Sequence, residues 1–395
     1  MILIENGMVY TMNANNDVYD CGCILIDGGK ILEVARDRES IRSDISRDVT
    51  VINAKGRYVF PGFVDPHCHI GLYEDSLGFE GEDTNESTDP VTPQLRAIDG
   101  INFFDRNFKE AYEAGVTTVV TGPGSANVLG GQFLAMKTYG RRIEEMIVKD
   151  PVAVKIAFGE NPKSVYNERK QMPTTRMATA AILREELNKA VEYNDKKKIY
   201  ASTKDEEDKP EYDGKLEVLI KVLNKEIPFK AHAHRADDIL TAIRIAKEFD
   251  VNITIEHCTD GSRIKDILKS EGVPVIVGPV ITDRSKPELA NQSASTGGIL
   301  AKEGIDVAIM TDHPVFPINY LPIQAAIVAK EGMDCMQALR AITITAAKVC
   351  GIDDRVGSIE VNKDADIVIF DGHPFEIKTN VLKTIIDGEV VYDRD

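Results

Sequence analysis

Tyr58-Val59-Phe60-Pro61-Gly62-Phe63-Val64-Asp65-Pro66-His67-Cys68-His69 is an apolar run that ends in two histidines one residue apart. Read as a strand, Val59–His69, it alternates its side chains with period 2, so His67 and His69 point the same way at its C-terminal end. Two imidazoles held side by side on a rigid element form a ready grip for a metal ion. The chain has only seven histidines, and three more, His232, His234 and His257, close later apolar runs.

Outward from this run, the middle of the chain alternates strand-like and helix-like segments, the pattern of βα units around a parallel sheet. After Val59–His69 the expected strands are Val116–Thr121, Gln132–Lys137, Val152–Phe158, Pro228–His234, Asn252–His257, Pro274–Val277 and Asp306–Thr311. Helical spacing occupies Ile101–Ala114, Thr175–Tyr193, Lys215–Lys225, Ile239–Phe249, Glu288–Glu303, Leu321–Lys330 and Asp334–Val349. Eight strands with intervening helices predict an α/β fold, a (β/α)8 TIM-like barrel. The alternative, a doubly wound open sheet, gives the strand-end histidines no common mouth. Both chain ends are β-rich: Met1–Tyr10, Gly22–Asp27 and Lys30–Ala35, turning at Asp27-Gly28-Gly29, and later Ala365–Phe370, Val381–Ile386 and Val390–Tyr392. They predict a small β-sandwich domain from residues 1–58 and 351–395, attached to a barrel domain at 59–350.

Bulk properties narrow the function. A chain of 395 residues with 43% hydrophobic and 28% charged residues is an ordinary globular protein. A net charge of −17 argues against nucleic acid and anionic membranes as partners. No apolar run reaches the ~18 residues of a membrane span, and Met1–Gly7 lacks a basic leader, so a cytoplasmic location is expected. The six cysteines follow no disulfide spacing; Cys21-Gly22-Cys23 lies in a strand-like stretch without a partner pair. The acidic stretch from Tyr73 to Asp99 should hang over the barrel mouth, as a lid or a solvated flap.

Barrels carry their chemistry at the C-terminal strand ends. His67 and His69, His232 and His234, His257, and Asp312 in Thr311-Asp312-His313 all fall there. In Val152-Ala153-Val154-Lys155-Ile156-Ala157-Phe158 the bulky residues share one face, which should meet the helices; Lys155 should then point into the barrel. A buried ammonium is costly, but a neutral amine can add carbon dioxide and become a carbamate able to bridge two ions. Glu160, just beyond the strand, is the rival for that role. The glycine-rich loop from Gly122 to Gln132 lacks the Gly-Lys-Ser/Thr ending of a phosphate loop. It reads as a close-approach substrate loop, with Asn127 and Gln132 as hydrogen-bonding groups. Asn161-Pro162-Lys163 and Arg235 are candidates to hold a substrate carboxylate.

The stretch Gly62–His69, the run Ala338–Val349, and then Gly357-Ser358-Ile359 and Lys363–Val368 resemble the metal-dependent amidohydrolase superfamily over nearly the whole chain, within it the imidazolonepropionase-like branch. The resemblance implies that His67, His69, His232, His257 and Asp312 are metal ligands and that Lys155, carboxylated, is the bridge of two-metal members. It leaves His234 to orient substrate or support His232. It implies one or two divalent ions, zinc foremost, and a homo-oligomer acting on a small molecule. The expected reaction is hydrolysis of a linear or cyclic C–N amide bond by a metal-bound hydroxide, with Asp312 carrying the proton. A metallo-dipeptidase or carboxypeptidase is the alternative. Position 235 is Arg where deaminase branches carry Glu, which counts against a deaminase, and a non-catalytic scaffold would be expected to have lost ligands. Ile70–Asp75 departs from the continuation of true imidazolonepropionases, leaving the substrate open.

Overall fold

A computed structural model describes residues 1–43, 48–75 and 77–394. In chain order its strands are β1 (Ile2–Tyr10), β2 (Val18–Asp27), β3 (Lys30–Ala35), β4 (Thr50–Asn53), β5 (Tyr58–Pro61), β6 (Phe63–Cys68), β7 (Val116–Thr121), β8 (Leu129–Lys137), β9 (Ile147–Ala157), β10 (Phe229–Ala233), β11 (Ile253–His257), β12 (Val275–Val277), β13 (Val307–Ile309), β14 (Ile367–Phe370), β15 (Val381–Ile386) and β16 (Glu389–Asp393).

Two sheets result. One takes strands from both chain ends in the order β16-β15-β14-β5-β1-β2-β3, with β4 also paired to β1. The other runs β6 to β13 in sequence order. It closes through Asp312 N–H to the His67 carbonyl (3.2 Å) and His69 N–H to the His313 carbonyl (2.8 Å). Helices fill most crossovers, and the architecture is the expected barrel with a second sheet from the chain ends. Val64, Val120, Phe133, Ala153, Ile276, Ala308 and Met310 pack together as its inner core. Val154, Ile156, Ala231 and Ile255 face outward into the larger core shared with the helices.

Three details differ from the sequence reading. First, Val59–His69 is not one strand. β5 pairs with β1 and β14 in the terminal sheet, and the chain enters the barrel only after Gly62. A Cβ at Gly62 would lie 2.0 Å from Thr117 Oγ1, so the crossing point admits no side chain. The boundary expected at residue 58/59 therefore falls at the head of β5. Second, β8 runs antiparallel to both β7 and β9. Only the short segment between Thr121 and Leu129 joins β7 to β8, too little for the dozen or more residues a parallel crossover needs. Third, the helix expected over Thr175–Tyr193 extends over Arg176–Thr203, capped by Thr175, whose hydroxyl accepts from Ala178 N–H (3.1 Å).

The acidic stretch after β6, of which residue 76 lies outside the described residues, is tied to β8. Thr92 N–H donates to the Leu129 carbonyl and Gln132 N–H to the Leu95 carbonyl, both at 2.8 Å. Tyr73, Glu82, Thr84 and Asn85 from this stretch line the cavity at the barrel mouth. Beneath the barrel, the buried Lys137 at the end of β8 meets Asp366 (2.6 Å) and Asp364 (3.0 Å) of the terminal sheet. Among the described residues no helix is long and apolar enough to cross a membrane.

Candidate metal centre

Neighbouring barrel strands in register place the polar residues at one level. Lys230 of β10 pairs with Lys155 of β9, His232 of β10 with Glu256 of β11, and Ala233 with His257. Alternation sends Lys230, His232 and then His234 inward. On β11 it sends Thr254 and Glu256 inward, which by itself would turn His257 away. His257 and Cys258 instead adopt left-handed backbone conformations (φ 65° and 52°), and His257 joins the same interior. Asp312 is left-handed as well (φ 55°). Such conformations cost about 1–3 kcal/mol each and persist only where the surroundings enforce them. At Asp312 the enforcing group is Asp65, whose carboxylate accepts from Thr311 N–H (3.2 Å), the Thr311 hydroxyl and His67 N–H (3.1 Å). Burial pushes the Asp65 carboxyl up to about 7.

Two groups of donor atoms lie in this interior: His67, His69 and Asp312, and His232, His234 and His257. Within each group the donor atoms lie within 4.8 Å of one another. Asp312 Oδ1 is 3.4 Å from His67 Nε2 and 3.3 Å from His69 Nε2. Most of these rings have one nitrogen committed elsewhere. His69 Nδ1 meets the Gly122 carbonyl (2.7 Å) and His257 Nδ1 the Gly278 carbonyl (2.9 Å). A carbonyl can only accept, so Nδ1 carries the proton and Nε2 keeps its lone pair. His67 Nδ1 contacts the Glu256 carboxylate, and His234 Nδ1 lies 2.8 Å from the Thr259 hydroxyl. His232 Nδ1 is buried and finds no hydrogen-bond partner among the described residues, while its Nε2 lies 3.3 Å from Asn161 Nδ2.

Electrostatics suit the same reading. Burial, reinforced by neighbouring imidazoles, holds His232 and His257 well below the ordinary histidine range. Burial takes His234 down to about 4 and, with Lys155, lowers His67. These rings are neutral at pH 7 and able to donate to a cation. Burial alone would raise Asp312, but the His67 and His69 imidazoles beside it hold it well below the usual carboxylate range. Lys155 is buried with Nζ 3.2 Å from His67 Nε2 and 5.6 Å from the Phe133 ring centroid. Burial brings it down to about 8. Five imidazoles, one carboxylate and a buried amine around one cavity are a donor set that fits divalent ions, and the orphaned His232 Nδ1 is the nitrogen that such an ion would satisfy.

The cavity has a volume of about 380 Å³ and is lined by His69, Lys155, His232, His234, His257 and Asp312, among others. Other sequence candidates lie elsewhere. Glu160 opens the helix Glu160–Glu168, its backbone N–H donates to Glu288, and it does not line the cavity. Arg235 is paired with Asp237 (2.9 Å) on the surface. Asn127 donates to the Glu86 carbonyl and Thr92 hydroxyl (both 2.8 Å), and Gln132 to the Pro93 carbonyl (3.1 Å). Both amides fasten the acidic stretch to the barrel rather than facing the cavity.

Sequence reasoning missed several participants. Glu256 sits between His67, Lys230 Nζ (3.1 Å) and the Thr254 hydroxyl (2.7 Å). Its signal was visible: a carboxylate within an apolar strand, next to a candidate histidine. Glu288, buried, places Oε1 3.9 Å from His232 Nε2 and 3.8 Å from His234 Nε2. Lys286 comes from the loop after β12 and Glu288 from a single 3-10 turn, Pro287–Leu289; of the helix expected over Glu288–Glu303 only Ser295–Lys302 forms.

Comparison with known proteins agrees with the geometry. The family described as "Amidohydrolase family" matches residues 58–391. The chain is 28% identical over 396 residues to "Amidohydrolase tasK" of Hapsidospora irregularis, covering 94% of this chain but 40% of that protein's length. It is 24% identical over 400 residues to an imidazolonepropionase of Thermoplasma acidophilum, covering 96% of this chain and 92% of the relative. A crystal structure of an amidohydrolase from Thermotoga maritima MSB8 superposes with a TM-score of 0.94 at 43% identity, covering 100% of both chains.

Proposed function

The chain belongs to the amidohydrolase family, and from that premise we propose that it is a metal-dependent hydrolase cleaving a linear or cyclic C–N amide bond of a small molecule. The observation that carries this reading is the set of uncommitted ring nitrogens on residues that line one cavity: Nε2 of His69 and His257, whose Nδ1 atoms are held by backbone carbonyls, and the orphaned Nδ1 of His232. His67, His69, His232, His257 and Asp312 would hold the ions, and zinc would suit these ligands. Lys155, as its carbamate, would supply a further ligand; buried beside His67, it is better placed for that role than Glu160. A divalent ion bound there lowers the pKa of a water to near neutrality and polarises the scissile carbonyl.

The remaining work falls to the chain's own groups. His69 and His257 keep fixed tautomers through Gly122 and Gly278, and Glu256 does the same for His67. Asp312, ionised and within 3.4 Å of two imidazoles, accepts a proton from the attacking water and returns it to the leaving nitrogen. Water thus adds across the C–N bond to give a carboxylic acid and an amine. The acidic stretch over the mouth limits solvent access.

The test is elemental analysis of protein produced with ample metal, followed by a hydrolysis screen against cyclic amides, N-acyl amino acids and dipeptides. Asp312→Asn should keep bound metal and lose at least about 10²-fold in turnover. Protein with no tightly bound divalent ion, or full turnover by Asp312→Asn, contradicts the proposal.

A further inference from the structure

We infer that Lys286, with Asn161 beside it, forms an anion subsite in the cavity wall that takes an α-carboxylate carried on the amine side of the scissile bond. The substrate is then an N-acyl amino acid or a dipeptide, which share that group. This rests on the amide-hydrolase reading and narrows it.

Among the described residues two lysines line the cavity, Lys155 and Lys286. Lys155 lies at the floor beside His67. Lys286 comes from the loop after β12, and its ammonium donates to Asn161 Oδ1 at 2.7 Å. It forms no ion pair with a carboxylate among the described residues. Asn161 spans the gap from this ammonium to the histidines: its Nδ2 donates to Ser125 Oγ (2.7 Å) and lies 3.3 Å from His232 Nε2. Ser125 and Asn161 line the same cavity. A carboxylate accepting from Lys286 and Asn161 is therefore held close to His232. In an N-acyl amino acid or a dipeptide the carboxyl carbon is two bonds from the scissile nitrogen, so binding one end presents the other to the reacting centre. Arg235 cannot serve this purpose, being paired with Asp237 outside the cavity. Glu82 and Asp283 also line the cavity and disfavour a second anionic group on the ligand.

The experiment uses the full chain and two readouts. In equilibrium dialysis, a pool of N-acetyl amino acids and a matched pool of their carboxamides are offered to wild type, Lys286→Met and Lys286→Arg, with retained species quantified by mass spectrometry. Wild type should retain the acids about tenfold better than the amides, the size of one charge-assisted hydrogen bond. That difference should collapse in Lys286→Met and persist in Lys286→Arg. A pool of dipeptides and dipeptide amides run in parallel distinguishes the two substrate sources. Equal retention of acids and amides by wild type, no retention of either, or an unchanged preference in Lys286→Met overturns the subsite. The same pools incubated with metal-loaded protein test the parent reading separately. Acids bound but never cleaved would sink amide hydrolysis and leave the subsite standing. Acids and amides cleaved at equal rates would sink the subsite and leave the hydrolase.

Discussion

Glu256→Gln is the most informative single change, because two consequences of it can be separated. Glu256 is fully buried on β11, touching His67 Nδ1, Lys230 Nζ at 3.1 Å and the Thr254 hydroxyl at 2.7 Å. Burial would raise its carboxyl, yet Lys230 and His67 hold it well below the ordinary glutamate range. An amide in its place leaves the buried Lys230 ammonium without a counter-charge, beside the Pro66 carbonyl (3.1 Å). Stranding one partner of a buried pair costs about 3–5 kcal/mol. His67 also exchanges a carboxylate for a weaker acceptor, and loss of such support for a metal-bound histidine lowers metal affinity about 10–100-fold. Adding Lys230→Met removes the stranded charge and should recover most of the stability but none of the metal affinity. Denaturant unfolding of the metal-free variants measures the first quantity, and chelator competition measures the second. If affinity returns together with stability in the double variant, Glu256 acts on folding alone and the argument for its support of His67 fails.

Lys137→Met strands the buried carboxylate of Asp366 beneath the barrel and takes one of three cations from Asp364, and should destabilise the protein by about 3–5 kcal/mol in denaturant unfolding; a change within error would remove this cluster from the forces joining the two sheets. Its pH dependence follows from Asp364, which burial would raise but which Lys137, Lys30 and Arg355 hold below its ordinary value. A depressed carboxyl contributes stability above its unfolded value of about 3.9 and loses it as pH falls through the folded value. The acid limb of stability against pH, below about pH 4, should therefore be steeper in wild type than in Lys137→Met, and equal slopes would count against the pairing. Gly122→Ala places a Cβ 2.4 Å from the Phe133 ring and should cost about 1–3 kcal/mol. It should also lower turnover by shifting the carbonyl that fixes His69, and an unaffected variant would show that the loop yields freely.

The barrel was legible because its strands are apolar runs buried on both faces, a signal that survives without neighbours. Asp312, His257 and the His67-Cys68-His69 step were found because each interrupts such a run at its end, and Lys155 because a lysine between bulky residues has one inward direction. The direction of β8 was not read, although the shortness of the Gly122–Val128 connection already required a reversal. Strand parity misjudges β11, where Glu256 and His257 both face inward, because a left-handed residue breaks the alternation and no local pattern announces it. Asn127 and Gln132 look like ligand-binding amides in isolation; their partners, more than thirty residues earlier, are set by tertiary folding. Lys286 and Glu288 reach the histidines from a loop whose path depends on the closed barrel.

The β5–β14 ladder pairs Pro61 with Ile367 and Phe60 with Val368. A ribosome makes the first of these residues long before the last. The backbone just upstream of His67 thus waits for its second neighbour until synthesis has passed residue 370, a contact of very large sequence separation and slow formation. A copy interrupted before residue 367 retains every histidine ligand candidate and Asp312, but bares one side of β5 as an unpaired ribbon, the kind of edge that recruits other chains into aggregates. Such fragments should therefore be removed by self-association rather than persist as rogue enzymes.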